Sequence, residues 1–247
     1  MWLVLPLKDF VQAKQRLSGC LSVSERRTLF QHMVEDVLAV LSSVPACERL
    51  LIVSDDPAAH LLAEHFGAEC WPEAELGRGL NAVLEATLAR IASLPSAPQN
   101  VMIVHGDLPL INAAELSALV ARQAEAAVPA MVIATDRHRR GSNVLLMPLR
   151  QRISLHYGEH SLAAHRRAAQ RAGLELLVQC SEGLASDIDT RDDLLALVER
   201  AADDSAGQHL APQTMSYLQG SGIARRLQQM NPPADQRSEE LRGNGPN

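Results

Sequence analysis

The residues of this chain able to do chemistry are few and unevenly placed. Lys8 and Lys14 are the only lysines among 247 residues, against twenty-one arginines, and both lie close to Arg16 near the start. Lysine carries a compact ammonium on a flexible stem, which suits it to follow a phosphate whose charge moves during a reaction. Three such cations on one loop can neutralise a polyphosphate, although solvated surface charge explains many clusters of this kind. The acids are distributed differently. Asp107 follows an apolar run and precedes Leu108-Pro109, while Asp187-Ile188-Asp189-Thr190 alternates so that two carboxylates share one side of an extended segment. Hard oxygen ligands from distant segments are what magnesium requires, with substrate phosphates completing its octahedron. Read singly, each aspartate is better explained by helix capping, Asp189 or Thr190 at the last helix and Asp107 at the helix after Pro109; their combination favours the metal.

Two glycine-hydroxyl motifs complete the set. Gly141-Ser142-Asn143 and Gly158-Glu159-His160-Ser161 place backbone amides near small hydroxyls, an arrangement that holds carboxylate or phosphate but also occurs in plain turns. Other chemistries find less support. The loop after Pro6 has no G-x-x-x-x-G-K-[ST] signature, and no G-x-S-x-G is present. His156, His160 and His165 fit no zinc spacing, and the four cysteines form no C-x-x-C pair.

These residues need a scaffold, and the hydrophobic pattern supplies one. Apolar runs of strand length alternate with stretches of helical period, the mark of a mostly parallel sheet covered by helices in an α/β fold. Strands are expected at Trp2 to Pro6, Arg49 to Ser54, Glu69 to Trp71, Asn100 to His105, Ala130 to Thr135, Val144 to Met147 and Glu175 to Val178. Helices are expected between them, the first opened by a Ser22/Glu25 capping box and the last running from about Asp192 to Ala202. In such sheets ligands bind beyond the carboxyl ends of the strands, and Lys8, Ser54-Asp55 and Asp107 all fall at those ends. We expect a compact domain over residues 1–202. The Gln-, Pro- and Gly-rich stretch 203–247 reads as a largely disordered tail, at most partly ordered around Met215 to Leu227.

Composition narrows the partners. A net charge of −6 and a pI near 5.8 give no footprint for a nucleic-acid backbone or an anionic membrane. No apolar run approaches the roughly 20 residues of a membrane span, and Lys8 and Asp9 follow the first apolar run too soon for a signal peptide, so a cytoplasmic location is expected.

Taken in order, Pro6-x-Lys8, Ala13-Lys14-x-Arg16-Leu17, Gly79-Leu80-Asn81, Gly106-Asp107-Leu108-Pro109, Gly141-Ser142-Asn143, Tyr157-Gly158-x-x-Ser161 with His165, and Asp187-x-Asp189-Thr190 resemble the 2-phospho-L-lactate guanylyltransferase family of coenzyme F420 biosynthesis. The resemblance covers about Leu3 to Val198. It implies a nucleotidyltransferase-type, Rossmann-like three-layer fold, a homodimer, GTP as donor, pyrophosphate as second product and a Mg2+ cofactor. The implied acceptor is a phosphorylated three-carbon acid: 2-phospholactate, phosphoenolpyruvate or 3-phosphoglycerate. By position it implies Asp107, Asp187 and Asp189 as magnesium ligands and Lys8, Lys14 and Arg16 as the nucleotide loop, with Lys14, Arg16 and Asp107 at the reacting centre. It implies Ser142, Gly158 and Ser161 as acceptor contacts and Asn81 near the base. Ser142 stands where threonine is usual, Tyr157 replaces phenylalanine, and Glu159-His160 is an uncommon insert. The alternatives are a molybdopterin or sugar-phosphate nucleotidyltransferase, or a regulatory module that binds a nucleotide without reaction.

Overall fold

Strand residues alternate between two apolar faces, and the whole architecture follows from that period of two. In the computed structural model, which describes residues 1–202 and 210–229, seven strands form one sheet in the order β3-β2-β1-β4-β6-β5-β7. They are β1 (Trp2–Pro6), β2 (Arg49–Val53), β3 (Glu69–Trp71), β4 (Asn100–Val104), β5 (Ala130–Ala134), β6 (Val144–Pro148) and β7 (Glu175–Gln179). Leu3 and Leu5 of β1 join one core, whereas Trp2 and Val4 join the other.

Among the described residues eight α-helices flank the sheet: α1 (Val23–Leu41), α2 (Pro57–Phe66), α3 (Leu80–Ala92), α4 (Ala113–Ala124), α5 (Ser161–Arg171), α6 (Arg191–Ala202), α7 (Pro212–Gly220) and α8 (Ile223–Gln229). Buried residues of α3 and α5 pack on the Trp2 side, and those of the other six on the Leu3 side. The expected three-layer α/β architecture is therefore present. The Ser22 hydroxyl accepts from the Glu25 amide while the Glu25 carboxylate accepts from the Ser22 amide, the capping box read in the sequence. None of the described helices is long and apolar enough to cross a membrane.

Strand direction decides where chemistry can sit. The pairs β1·β2, β1·β4, β2·β3 and β5·β7 are parallel, while β6 runs antiparallel to both its neighbours β4 and β5. The reversal brings the start of β6, with Ser142-Asn143 before it, to the same edge as the carboxyl ends of β1 and β4. The chain passes outward from β1 to β3 and then returns to β4 on the other side of β1, so the crevice of a topological switch point opens between β1 and β4.

Residues 210–229 are more regular than their composition suggests. Helices α7 and α8 occupy much of 212–229, with Met215, Leu218, Ile223 and Leu227 buried in the Leu3-side core, in the segment where partial order is expected. Asp36 of α1 explains the docking. Its carboxylate accepts from the Gln213 amide at 2.9 Å, the Thr214 amide at 2.9 Å and the Thr214 hydroxyl at 2.7 Å, and so caps α7 from another helix. The tail positions 203–209 and 230–247 lie outside the described residues.

Asp36→Ala removes three hydrogen bonds from a buried helix start and is expected to cost about 1–3 kcal/mol in chemical denaturation. An unchanged denaturation midpoint would show that α7 does not depend on this cap.

Candidate active site

The basic loop after β1 is fixed before it does anything chemical. Phe10 is buried edge-to-face against Phe30 with centroids 5.0 Å apart, and Leu17 is buried in the same core. Asp56 accepts from the Phe10 amide at 2.8 Å while its other oxygen caps α2 through the Ala58 amide. The Arg26 guanidinium donates to the Ala13 carbonyl at 3.1 Å. Between these anchors Lys14 takes a left-handed backbone (φ 55, ψ 41), a conformation that costs an L-residue roughly 1–2 kcal/mol and persists only where its surroundings impose it.

That backbone aims the Lys14 ammonium inward. Its Nζ donates to Asp107 Oδ2 at 2.6 Å and to Asp189 Oδ1 at 2.8 Å, with the lysine side chain only 5% exposed. The two aspartates are themselves tied together by backbone, because the Ile188 amide donates to the Asp107 carbonyl at 3.1 Å. Thr190 and Asp193 then start α6 reciprocally: the Asp193 carboxylate accepts from the Asp189 and Thr190 amides, and the Thr190 hydroxyl accepts from the Asp193 amide. The helix-capping role open to Asp189 or Thr190 thus belongs to Thr190, which leaves the Asp189 carboxylate facing the cleft. Arg16 reaches Asp189 Oδ2 at 3.4 Å from a largely exposed position, a contact of small energetic value.

Charge is concentrated here. Burial opposes the charged forms of both Lys14 and Asp107, but their mutual attraction outweighs it, holding the ammonium above its ordinary pKa and the carboxyl below its own. Asp187 behaves oppositely. Burial, then the charges of Asp107 and Asp189, push its carboxyl up, although the Asn143 side-chain amide donates to it at 3.3 Å. Asp107 Oδ1 is buried without a hydrogen-bond partner.

These features fit a divalent cation, which would relieve the repulsion at Asp187 and give the orphaned oxygen a partner. The fit is to an incomplete cage. Among the described residues no three His, Cys, Asp or Glu side chains converge closely enough to hold a metal by themselves. Magnesium commonly takes one or two carboxylates and fills its octahedron with water and substrate phosphate, so a partial cage beside a phosphate loop is consistent with its chemistry.

The other half of the site lies across the same crevice. Two adjoining hollows of about 420 and 840 Å³ share Lys8, Arg16, Leu80, His105, Asp107 and Asp189, and so form one cleft. Lys14 lines the first; Ser142, Gly158, Ser161 and Asp187 line the second. All the expected nucleotide-loop, metal and acceptor positions therefore meet in one cleft. The Asn81 carboxamide donates to the Tyr157 carbonyl at 3.0 Å and accepts from the Tyr157 amide at 2.6 Å, so it clamps a loop through one of its two N–H groups and one lone pair of its oxygen.

That clamp belongs to a larger set that the sequence did not show. The amides of Leu155, His156 and Tyr157 donate in turn to Glu85, His165 and Asn81, which come from α5 and α3. The loop leading to Gly158 (φ 137) is thereby positioned from two helices. His105 packs against Tyr157 with the rings tilted and their centroids 5.0 Å apart, and burial lowers its pKa below the ordinary histidine value. The only early signal for His165 was its place in the family pattern, since a pairing with a backbone amide leaves no mark in spacing.

Lys14→Met leaves two carboxylates facing one another without their counter-charge. At neutral pH it is expected to cost about 2 kcal/mol in urea denaturation, less than a fully buried pair because Asp189 is 39% exposed. The depressed Asp107 pKa contributes stability above the ordinary carboxylate value of about 4, which disappears as pH falls through the lower folded value; the raised Lys14 pKa contributes below about 10.4 and fades as pH rises through the higher one. The gap between wild type and Lys14→Met should therefore be widest between those limits and close in acid. A gap independent of pH would contradict the ion pair.

Comparison with known proteins places the chain in a family. Residues 1–226 match the family described as Guanylyl transferase CofC like. The chain is 35% identical over 205 residues to the phosphoenolpyruvate guanylyltransferase of Conexibacter woesei, covering 83% of this chain and 90% of the relative. To that of Sphaerobacter thermophilus it is 35% identical over 198 residues, covering 80% and 92%. Among solved structures, a putative nucleotide-diphospho-sugar transferase from Desulfovibrio desulfuricans G20 superposes with a TM-score of 0.72 at 16% identity, over 91% of this chain and 96% of the other. A CMP:2-keto-3-deoxy-manno-octonic acid synthetase gives 0.55 at 12% identity over 82% and 98%; these two likenesses establish the nucleotidyltransferase-type fold. On the family match and the identity to its members, the chain belongs to the CofC-like guanylyl transferases, a group of nucleotidyltransferase enzymes.

Proposed function

We propose that this enzyme transfers GMP from GTP to a phosphorylated three-carbon acid, releasing pyrophosphate, in coenzyme F420 biosynthesis. The observation that carries the reading is the single cleft with a buried Lys14–Asp107–Asp189 centre at one end and the Ser142, Gly158 and Ser161 cradle at the other. Phosphoenolpyruvate, named in the relatives, comes first among acceptors, ahead of 2-phospholactate and 3-phosphoglycerate.

The reaction needs little covalent help. A phosphate oxygen of the acceptor attacks the α-phosphorus of GTP, a new P–O bond forms, and the bond from that phosphorus to the bridging oxygen breaks as pyrophosphate departs. A phosphate monoester, with its second pKa near 6, is already largely ionised at neutral pH and requires no general base. Lys8, Lys14 and Arg16 offset triphosphate charge, and Ser142, Ser161 and Gly158 orient the acceptor for in-line attack. Asp107, Asp187 and Asp189 would hold magnesium, whose chemistry here is charge neutralisation on the triphosphate. Asn81 acts through the Tyr157 peptide, holding the acceptor loop.

The four free thiols are consistent with a reducing, cytoplasmic setting, and the family resemblance supports a homodimer, which light scattering would test.

A pyrophosphate-release assay crossing four nucleoside triphosphates with the three phospho-acids tests the proposal. GTP with one phospho-acid should give turnover; equal rates with ATP or CTP would overturn the donor assignment, and no pyrophosphate with any acid would overturn the reaction. Asp189→Asn should lower turnover by about 100-fold or more while retaining GTP binding. Lys14→Arg keeps the charge but replaces a compact ammonium with a planar fork, so turnover should fall about ten-fold; unchanged kinetics would remove Lys14 from the reacting centre.

A further inference from the structure

His165 takes no part in the reaction as described, yet it is fully buried and both ring nitrogens are bonded. Its Nε2 lies 2.9 Å from the His156 amide nitrogen. A backbone N–H can only donate, so Nε2 must be the bare, accepting nitrogen, and the ring hydrogen must reside on Nδ1. Nδ1 lies 3.0 Å from Ser142 Oγ and therefore donates to it. The Ser161 hydroxyl donates to the same oxygen at 3.3 Å. Both lone pairs of the Ser142 oxygen are then occupied, and the hydroxyl can use its own hydrogen only as a donor toward some third group. Ser142 and Ser161 both line the larger part of the cleft.

We propose that His165 is a positioning residue that directs the Ser142 hydroxyl hydrogen at an anionic oxygen of the phospho-acid. The assignment of that ligand rests on the function proposed above; the direction of the hydroxyl rests on the hydrogen bonds alone. Each donor in the chain has one consequence. The His156 amide fixes the tautomer, the tautomer makes His165 a donor, and two incoming donors leave Ser142 with one way to bond. A serine turned this way rejects ligands that present a donor at that point, because two hydrogens would then meet, and accepts phosphate or carboxylate oxygen. The surroundings keep the ring neutral: burial, then the neighbouring His156 and His105, push its pKa down to about 4, so it does not become an imidazolium that would lose the bond from His156. The fold secures the arrangement from both sides, because the His156 amide belongs to the loop that Asn81 and Glu85 of α3 also hold.

Two measurements test this, one of which is independent of the reaction. Nitrogen NMR of histidine-labelled wild-type protein at neutral pH, with the ring assigned by its absence in His165→Phe, should show a neutral imidazole protonated on Nδ1. A ring protonated on Nε2, or an imidazolium, would overturn the proposal. Calorimetric titration with phosphoenolpyruvate should show affinity lowered about ten-fold or more in both His165→Phe and Ser142→Ala, with GTP affinity retained. The double variant should bind no worse than either single one, and His165→Asn, which keeps a donor, should recover part of the loss. Additive losses, or loss of GTP affinity as well, would mean that His165 merely supports the fold. Correct NMR without binding of any phospho-acid by wild type would overturn the assigned ligand and leave the hydroxyl direction standing.

Discussion

The site depends on one buried cation held between two carboxylates. Lys14 reaches Asp107 across 93 residues of sequence and Asp189 across 175, and its ammonium is what allows those acids to approach one another at the cleft. Everything around it serves that contact. Phe10 and Leu17 pin the loop to the core, Asp56 and Arg26 hold its backbone, and the surrounding packing sustains a left-handed conformation at a residue other than glycine. The Asp107 carbonyl then accepts from Ile188, so the end of β4 and the start of α6 are carried together. A loop free to move would place the charge a few ångströms away, where water screens it and the carboxylates repel.

Sheet topology supplies the second constraint. One antiparallel strand, β6, turns its leading residues toward the carboxyl edge of the parallel strands, so Ser142 and Asn143 face the same crevice as Lys14 and Asp107. Asn143 links the two ends chemically, donating to Asp187 and to the Leu184 carbonyl. The acceptor end is built from backbone held by side chains, with three consecutive amides accepted by Glu85, His165 and Asn81. Such preorganisation suits a reaction whose barrier is lowered by alignment and charge neutralisation more than by covalent chemistry.

Much of this was legible in the sequence, for identifiable reasons. Strands and helices announced themselves through periodicity, and strand-end polar residues such as Lys8 and Asp107 could be placed because parallel sheets put ligands at that edge. The helices of 212–229 were obscured: their apolar residues sit among Gln, Ser and Arg, and the acid that caps α7 lies at position 36. The clamp that Asn81 makes was not legible, because motif spacing cannot reveal that a carboxamide bonds a peptide 76 residues away. His165 was part of a pattern whose physical meaning required the tautomer imposed by a backbone N–H. Side chains that act on backbone stay invisible until the fold is known.

The most direct test follows the atom that is transferred. GTP radiolabelled at the α-phosphorus, incubated with the enzyme, magnesium and phosphoenolpyruvate, should yield label in a new product joining GMP to the phospho-acid through a phosphate–phosphate bridge, with unlabelled pyrophosphate released in equal amount. Label recovered only in GTP, GDP or free GMP would contradict guanylyl transfer by this cleft.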